Sequence, residues 1–197
     1  MQKIIVAVTG ASGAIFGFRL LELLGELNIE RHLIISKSGL LTSYQELGIK
    51  KSSWLAQCEF EHAWQDIGAS CASGSFIHNG MIIAPCSMKT LAEIANGITS
   101  SLISRAAEVT LKERRKLVLL TRESPLTASH INNMGIVTQM GGIISPPVPA
   151  FYIKPQSIDD LVNHTVGRAL DLFDIDNQSV QRWAGMKTSK NTNQSQT

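Results

Sequence analysis

The stretch that decides the fold is Lys3-Ile4-Ile5-Val6-Ala7-Val8-Thr9-Gly10-Ala11-Ser12-Gly13-Ala14, at residues 3–14. Its first half is apolar and rich in β-branched residues, which predicts a buried strand. Its second half consists of small residues, and its glycines permit a tight turn into a helix. The N–H groups at the start of such a helix suit a phosphate. A plain strand-to-helix turn capped by Ser12 would explain the motif as well.

The same alternation continues along the chain. Further strands are predicted at 32–35, 80–84, 116–120 and 142–144, and helices at 14–27, 40–47, 88–95, 102–115, 128–140 and 158–173. Strands that are apolar throughout, separated by crossovers of helix length, indicate a parallel sheet covered on both faces. We therefore predict an α/β fold, a doubly wound three-layer sandwich with a mostly parallel sheet. Ligands of such folds bind at the carboxyl ends of the strands.

Length and composition predict a single domain at residues 1–185, because 197 residues and 44% hydrophobic content suffice for one core. Residues 186–197 carry almost nothing apolar and are predicted to form a disordered tail. The 18 Lys and Arg against 16 Asp and Glu leave a net charge of only +2. Nucleic acid and anionic membranes require a concentrated positive field, so we expect neither as a partner.

Cysteine usage favours a cytoplasmic protein. Cys58, Cys71 and Cys86 are an odd number without C-x-x-C spacing, which indicates reduced thiols rather than disulfides or a zinc site. Cys86 lacks a neighbouring base and is interpreted as a small buried residue. The five histidines show no metal-ligand spacing and are interpreted as structural, with His130 kept as an outside candidate. We expect no metal.

The residues after the second strand favour a mononucleotide over a dinucleotide. A dinucleotide site would place an acidic residue there to bind a ribose hydroxyl, but the chain reads Ile34-Ile35-Ser36-Lys37. NAD is therefore improbable, whereas FMN is compatible with Ser36 as a donor to phosphate or ribityl oxygens. Ser36 could equally be the N-cap of the next helix.

The later strand ends add more polar groups. The third strand ends in Pro85-Cys86-Ser87-Met88-Lys89-Thr90, which places hydroxyls and a helix N-terminus beside the first loop. The fourth ends in Arg122-Glu123, whose charges packing does not explain. Upstream, Glu108 and Lys112 share a helix face with Arg105, either for a function or as a solvated stripe in which Glu108 pairs with Lys112.

These segments resemble the flavin prenyltransferase family, the UbiX and Pad1 type once described as aromatic-acid decarboxylases. The resemblance covers residues 1 to about 185. Its segments are Thr-Gly-Ala-Ser-Gly-Ala at 9–14, Ile-Ser-Lys at 35–37, Ser-Gly-Ser at 73–75, Pro-Cys-Ser-Met-Lys-Thr-Leu at 85–91, Arg-Ala-Ala-Glu-Val-Thr-Leu-Lys-Glu-Arg-Arg at 105–115, Arg-Glu-Ser-Pro-Leu at 122–126, Pro-Pro-Val-Pro-Ala-Phe-Tyr at 146–152, Pro155-Gln156-Ser157 and Arg182-Trp183.

The resemblance implies a homododecamer of flavodoxin-like or Rossmann-like subunits. Such an enzyme takes reduced FMN and dimethylallyl phosphate and joins the dimethylallyl group to flavin N5 and C6 without a metal. The product, prenylated FMN, serves a partner decarboxylase of the UbiD type, often in ubiquinone biosynthesis. FMN is then a substrate rather than a retained cofactor.

The resemblance also assigns residues by position. Those that would bind FMN are Gly10, Ala11, Ser12, Ser36, Ser87, Met88, Lys89, Thr90 and Arg122. Those that would bind the prenyl phosphate are Lys112, Glu123, Tyr152 and Arg168. Lys112 and Glu123 also count as catalytic, with Glu46 as the acid/base and Trp183 as an aromatic face for the allylic group.

Two rival functions remain open on the same architecture. An FMN-dependent cysteine decarboxylase would retain FMN as a redox cofactor and need a positioned histidine base. A non-enzymatic carrier would only store and deliver FMN. The mass of the flavin released after incubation with reduced FMN and dimethylallyl phosphate separates all three.

Overall fold

The computed structural model describes residues 2–180, 182 and 185 of the chain. Its strands are β1 (Lys3–Val8), β2 (Glu30–Ile35), β3 (Phe60–Glu61), β4 (Gly80–Cys86), β5 (Lys116–Thr121) and β6 (Ile143–Ile144). Its α-helices are α1 (Ala14–Glu26), α2 (Lys37–Leu47), α3 (Lys51–Leu55), α4 (Met88–Ala95), α5 (Leu102–Lys112), α6 (Ala128–Gln139) and α7 (Ile158–Asp171). Short 3₁₀ turns at Ser70–Ala72 and Phe151–Ile153 lie in the connections.

Within the described residues, the strands form one parallel sheet in the order β3-β2-β1-β4-β5-β6. Strand β1 lies at the centre and pairs with β2 from Lys3↔Glu30 to Val8↔Ile35, and with β4 on its other side. The chain first builds outward from β1 through β2 and β3, and then returns to the other side of β1 with β4. This reversal confirms the predicted doubly wound fold, and the crevice beside it is where such sheets bind ligands.

The sheet separates two apolar cores because its central strands are apolar at every position. Helices α1, α2, α3 and α7 pack on one face, and α4, α5 and α6 pack on the other. Helices α1, α2 and α4 directly follow β1, β2 and β4, so their N-termini lie at the carboxyl ends of those strands. The start of a helix that follows a strand therefore belongs to the edge where a ligand is expected.

Two short elements were not predicted. Strand β3 has two residues, both exposed, so no apolar run marks it. Helix α3 has five residues, too few to display a helical period. It nevertheless buries Trp54, whose indole N–H donates to Ser43 Oγ at 2.8 Å and whose ring meets Phe18 edge-on at 5.1 Å. Elsewhere the predicted elements are confirmed, with ends that differ by up to three residues.

None of the helices in the described part of the chain combines the length and apolarity that a membrane crossing requires.

His32, His62 and His78 lie together near the β2–β3 edge of the sheet. His32 Nε2 is 2.7 Å from Glu30 Oε1, and His32 Nδ1 is 3.0 Å from His62 Nε2. The ring of His32 also stacks on Phe60 at 4.8 Å. These contacts fix the short strand β3 against β2, in agreement with the structural role expected for the histidines.

Within this group His78 is buried, with 4% of its surface exposed. Its Nδ1 is 3.1 Å from the carbonyl oxygen of Gly80, so Nδ1 carries the proton and donates it. Burial, together with the positive charges of Arg115 and His32, lowers the pKa of His78 to about 4. The folded protein therefore holds this imidazole neutral at pH values where the unfolded chain protonates it.

We expect the protein to lose stability between pH 6.5 and pH 4 partly through His78. In this window the unfolded chain binds the proton and the folded protein does not, so unfolding is favoured as pH falls. The contribution between pH 7 and pH 5 is roughly 1 to 2 kcal/mol. The check is thermal unfolding of the parent protein and His78→Asn at both pH values. An unchanged pH dependence in the variant would contradict the assignment.

Candidate active site

Thr9 holds the loop after β1 against the end of β4. Its hydroxyl donates to the carbonyl oxygen of Pro85 at 2.8 Å and accepts from the N–H of Ser87 at 2.8 Å, and it is 1% exposed. Gly17 lets α1 pack closely, because a Cβ there would lie 2.3 Å from the carbonyl oxygen of Ala84. The two predicted loops therefore lie side by side.

The N-terminus of α1 is capped by Glu46 from α2. Its carboxylate accepts from the N–H of Gly13 at 3.0 Å and from that of Ala14 at 3.1 Å. The capping position is Gly13, in the left-handed region at φ 102°, which has no side chain to cap the helix. The alternative in which Ser12 caps the helix is therefore wrong. The helix end that the sequence suggested for a phosphate holds an internal anion, which the helix dipole stabilises.

The loop after β2 brings Ser36 to the loop after β1. The Ser36 hydroxyl accepts from the N–H of Gly39 at 2.9 Å and lies 3.1 Å from Ser38 Oγ. Gly10 approaches this segment so closely that a Cβ would lie 2.5 Å from Ser38 Cβ. Ser36 is thus the N-cap of α2, and its hydroxyl proton points to Ser38 or to a ligand. A cap role and a ligand role are compatible here.

The loop after β4 presents a second hydroxyl-capped helix. Ser87 Oγ accepts from the N–H of Thr90 at 3.3 Å and is 3.2 Å from Thr90 Oγ1. Met88 packs against the core, whereas Lys89 extends outward and pairs with Glu93. The start of α4 is thereby fixed, while the Lys89 ammonium remains exposed.

The two residues that follow β5, Arg122 and Glu123, bring charged side chains to the carboxyl edge of the sheet. The N–H of Arg122 donates to the carbonyl oxygen of Cys86 at 3.2 Å, and the Arg122 and Glu123 side chains are exposed. The Thr121 hydroxyl, directly before them, is buried and has no hydrogen-bond partner among the described residues. A buried hydroxyl without a partner is costly, so Thr121 makes this edge a candidate position for a polar ligand.

Lys112 lies at the opposite edge of the sheet. It is the last residue of α5, just before the amino end of β5, whereas the loops above follow the carboxyl ends. Its ammonium pairs with the neighbouring Glu113. Glu108 pairs instead with Arg105 at 2.6 Å, so the alternative that joined Glu108 to Lys112 is wrong.

Tyr152, in the turn Phe151–Ile153, and Arg168, on α7, belong to one polar group. The Tyr152 hydroxyl lies 3.1 Å from His164 Nε2, and Arg168 follows His164 by one helical turn. Arg168 pairs with Asp171 at 2.6 Å, and Arg182 reaches the same carboxylate at 3.0 Å. A cavity of about 490 Å³ adjoins the group and includes Lys154, Asn163 and His164 in its lining.

One subunit does not bring the expected phosphate contacts Lys112 and Arg168 together. Arg168 lies in the last turn of α7, close to where Asp174 pairs with Lys116 at the amino edge of the sheet. Helices α5 and α7 cover opposite faces, so Lys112 and Arg168 are separated by the sheet. Trp183 lies outside the described residues.

The cysteines and His130 carry no sign of catalysis. Burial raises the pKa of the Cys86 thiol, and it raises the pKa of Cys71 to about 11, which disfavours the reactive thiolate. His130 Nδ1 accepts from the N–H of Thr127 in the capping box of α6. In the described residues, no group of three His, Cys, Asp or Glu side chains could hold a metal ion.

Comparison with known proteins identifies the family. A family model described as Flavoprotein matches residues 1–170. The flavin prenyltransferase UbiX of Neisseria meningitidis serogroup B is 46% identical over 186 residues, which cover 94% of this chain and 98% of that protein. The chain belongs to the flavin prenyltransferase family. The resemblance stated from the sequence motifs is thereby confirmed.

Solved structures agree with this assignment. AnUbiX (PadA1), in complex with FMN and dimethylallyl pyrophosphate, superposes with a TM-score of 0.93 at 49% identity, covering 94% of this chain and 99% of that one. A dodecameric FMN-dependent Ubix-like decarboxylase from Escherichia coli O157:H7 gives 0.91 at 45% identity, covering 93% and 100%. The peptidyl-cysteine decarboxylase EpiD gives 0.60 at 16% identity, covering 76% and 84%, and shares the fold alone.

Thr9, Thr121 and His164 had no separate role among the residues predicted from the sequence. The position of Thr9 and Thr121 at strand ends was a usable signal, because that edge was already the expected site. His164 gave no signal, since its partner Tyr152 lies twelve residues away across an irregular turn.

Glu46 should contribute to stability as a helix cap. Glu46→Ala removes the acceptor for the N–H groups of Gly13 and Ala14, and loss of a cap costs about 1 kcal/mol. Glu46→Gln retains one acceptor oxygen and should lose less. Chemical denaturation of both variants checks this order, and equal stability of the parent and Glu46→Ala would contradict the capping role.

Proposed function

We propose that this protein is a flavin prenyltransferase that joins the dimethylallyl group of dimethylallyl phosphate to N5 and C6 of reduced FMN. The observation that carries the proposal is the 49% identity, over 94% of the chain, to a protein crystallised with FMN and dimethylallyl pyrophosphate. The product, prenylated FMN, would pass to a UbiD-type decarboxylase. The unpaired cysteines support a cytoplasmic location, where thiols stay reduced.

The carboxyl edge of the sheet fits FMN. The loops after β1, β2 and β4 bring Gly10, Ser36 and Ser87 to adjacent strand ends, where backbone N–H groups and hydroxyls suit phosphate and ribityl oxygens. Ala11, Ser12, Met88, Lys89 and Thr90 complete the proposed set with Arg122. The buried Thr121 hydroxyl, which has no protein partner within the described residues, supports a polar ligand beside Arg122.

The chain supplies the groups that the reaction needs. FMN provides the nucleophilic N5 and C6 positions, and the bond that breaks joins the allylic carbon to a phosphate oxygen. Arg122 lies exposed at the mouth of the site and is proposed to bind FMN, next to where the phosphate leaves. Glu123 follows it and is proposed to act on the same phosphate. Glu46, in the last turn of α2 beside the start of α1, is proposed to accept a proton from the flavin.

The remaining phosphate contacts require other subunits. Lys112 and Arg168 lie near the amino edge on opposite faces of the sheet, so they reach a phosphate at the carboxyl edge only from neighbouring copies. Exposed apolar residues in and beside the proline-rich connection support such contacts, with Val148 73% and Phe151 75% exposed. We therefore propose a homo-oligomer, a dodecamer, with Lys112, Tyr152 and Arg168 contributed across interfaces. Trp183 is proposed to face the allylic group.

Mass spectrometry of the flavin tests the function. Incubation with reduced FMN and dimethylallyl phosphate should add one five-carbon unit to FMN, and the diphosphate run in parallel identifies the preferred donor. Glu46→Gln should slow this step by ~10² to 10⁴, because it keeps the shape and loses the base. Unmodified FMN after release would indicate a carrier. A decarboxylated cysteine peptide would indicate the rival enzyme.

Arg168→Ala should abolish transfer while FMN binding stays normal. A cation aimed at charge that develops in the transition state commonly contributes ~10² to 10³ in rate. Arg168 is half exposed, and Arg182 remains as a partner for the largely buried Asp171 carboxylate, so the change should cost stability only ~0 to 1 kcal/mol. Lys116→Ala is the control, because Lys116 is also paired to an aspartate near this edge. Size-exclusion chromatography must show that the variant still assembles. A parental rate in the assembled Arg168→Ala protein would show that Arg168 does not act on the phosphate.

A further inference from the structure

His164 makes a directed contact with Tyr152. Its Nε2 lies 3.1 Å from the Tyr152 hydroxyl, and the two rings meet edge-on at 5.6 Å and 83°. The imidazole belongs to α7, in the middle of a regular helix, whereas Tyr152 belongs to the short turn that ends the proline-rich connection. The regular helix α7 therefore orients the Tyr152 side chain, which lies on a less regular turn.

The surroundings of His164 keep its imidazole neutral. The residue is 6% exposed, and burial lowers its pKa, helped by the positive charge of Arg168 one turn away and opposed by Asp171. Tyr152 and Asn163 are uncharged polar neighbours, and the charged Lys154 and Asp160 line the same cavity. A neutral imidazole has one N–H, so only one of its nitrogens donates.

The other ring nitrogen decides which one donates. His164 Nδ1 is buried and has no hydrogen-bond partner among the described residues. If Nδ1 carried the proton, a buried N–H would lack an acceptor, which is rarer and more costly than a lone pair without a donor. The proton therefore lies on Nε2, which donates it to the Tyr152 oxygen. The hydroxyl proton of Tyr152 is then directed away from the imidazole.

We infer that His164 is a positioning residue that fixes Tyr152 as a hydrogen-bond donor toward the phosphate of the allylic substrate. This inference rests on the proposed function, in which Tyr152 contacts that phosphate. An oxygen that already accepts from Nε2–H presents its own proton outward, which is the orientation an anion requires. Arg168, on the next turn, supplies positive charge for the phosphate. The His164–Tyr152 hydrogen bond sets the direction in which the Tyr152 hydroxyl donates.

The test uses two polar variants of similar size. Glutamine places its amide N–H near the position of the imidazole Nε2, and asparagine is too short to reach Tyr152. His164→Gln should keep the parental kcat/KM for dimethylallyl phosphate. His164→Asn should lower it roughly three- to tenfold, the share of one hydrogen bond, mainly through a higher KM. FMN affinity and oligomer size are measured alongside and should match the parent in both variants.

A second arm repeats both variants with Tyr152→Phe. Without the hydroxyl, the difference between the Gln and Asn variants should vanish, because His164 acts only through Tyr152. Equal kcat/KM for the two variants with Tyr152 intact would overturn the inferred role of His164 and leave the proposed function standing. A difference between the variants that persists with Tyr152→Phe would do the same. A parent enzyme that makes no prenylated flavin would overturn the proposed function and this inference with it.

Discussion

The candidate site depends on the contact between the ends of β1 and β4. The Thr9 hydroxyl donates to one residue of the β4 loop and accepts from another, so both loops are fixed by a single buried side chain. Gly17 permits this, because any larger residue would force α1 away from the backbone of β4. A site built on backbone N–H groups needs such rigidity, since those groups cannot adjust as side chains do.

Residue patterns predicted the elements whose own residues carry a strong signal. Strand β1 matches its prediction at both ends, because the five residues after Lys3 are all apolar and four of them are β-branched. Strand β3 and helix α3 escaped prediction, since their stability comes from contacts made elsewhere, such as the stacking of Phe60 on His32. The loops of the site were predictable because strand ends in a doubly wound sheet converge by topology. The Glu46 cap of α1 was not, because it joins residues 33 positions apart.

The separation of Lys112 and Arg168 within one subunit gives the proposed homo-oligomer a chemical purpose. In the proposed reaction the phosphate of the allylic substrate is released as an anion while the flavin becomes the product, so separate groups for the two substrates are an advantage. Cations on α5 and α7 of neighbouring copies would then hold the phosphate, while the loops of one copy would hold the flavin. The exposed Val148 and Phe151 then supply apolar area for the interface that brings them together.

The three helix N-termini at the carboxyl edge are electrostatically different. Helix α1 is capped by the Glu46 carboxylate, whose negative charge offsets the partial positive charge of that helix end. Helices α2 and α4 are capped by the uncharged hydroxyls of Ser36 and Ser87, which satisfy an N–H group without neutralising the dipole. An added anion therefore gains more at α2 or α4 than at α1. In the proposed function, the phosphate of FMN is therefore expected at α2 or α4, beside Arg122, rather than at α1.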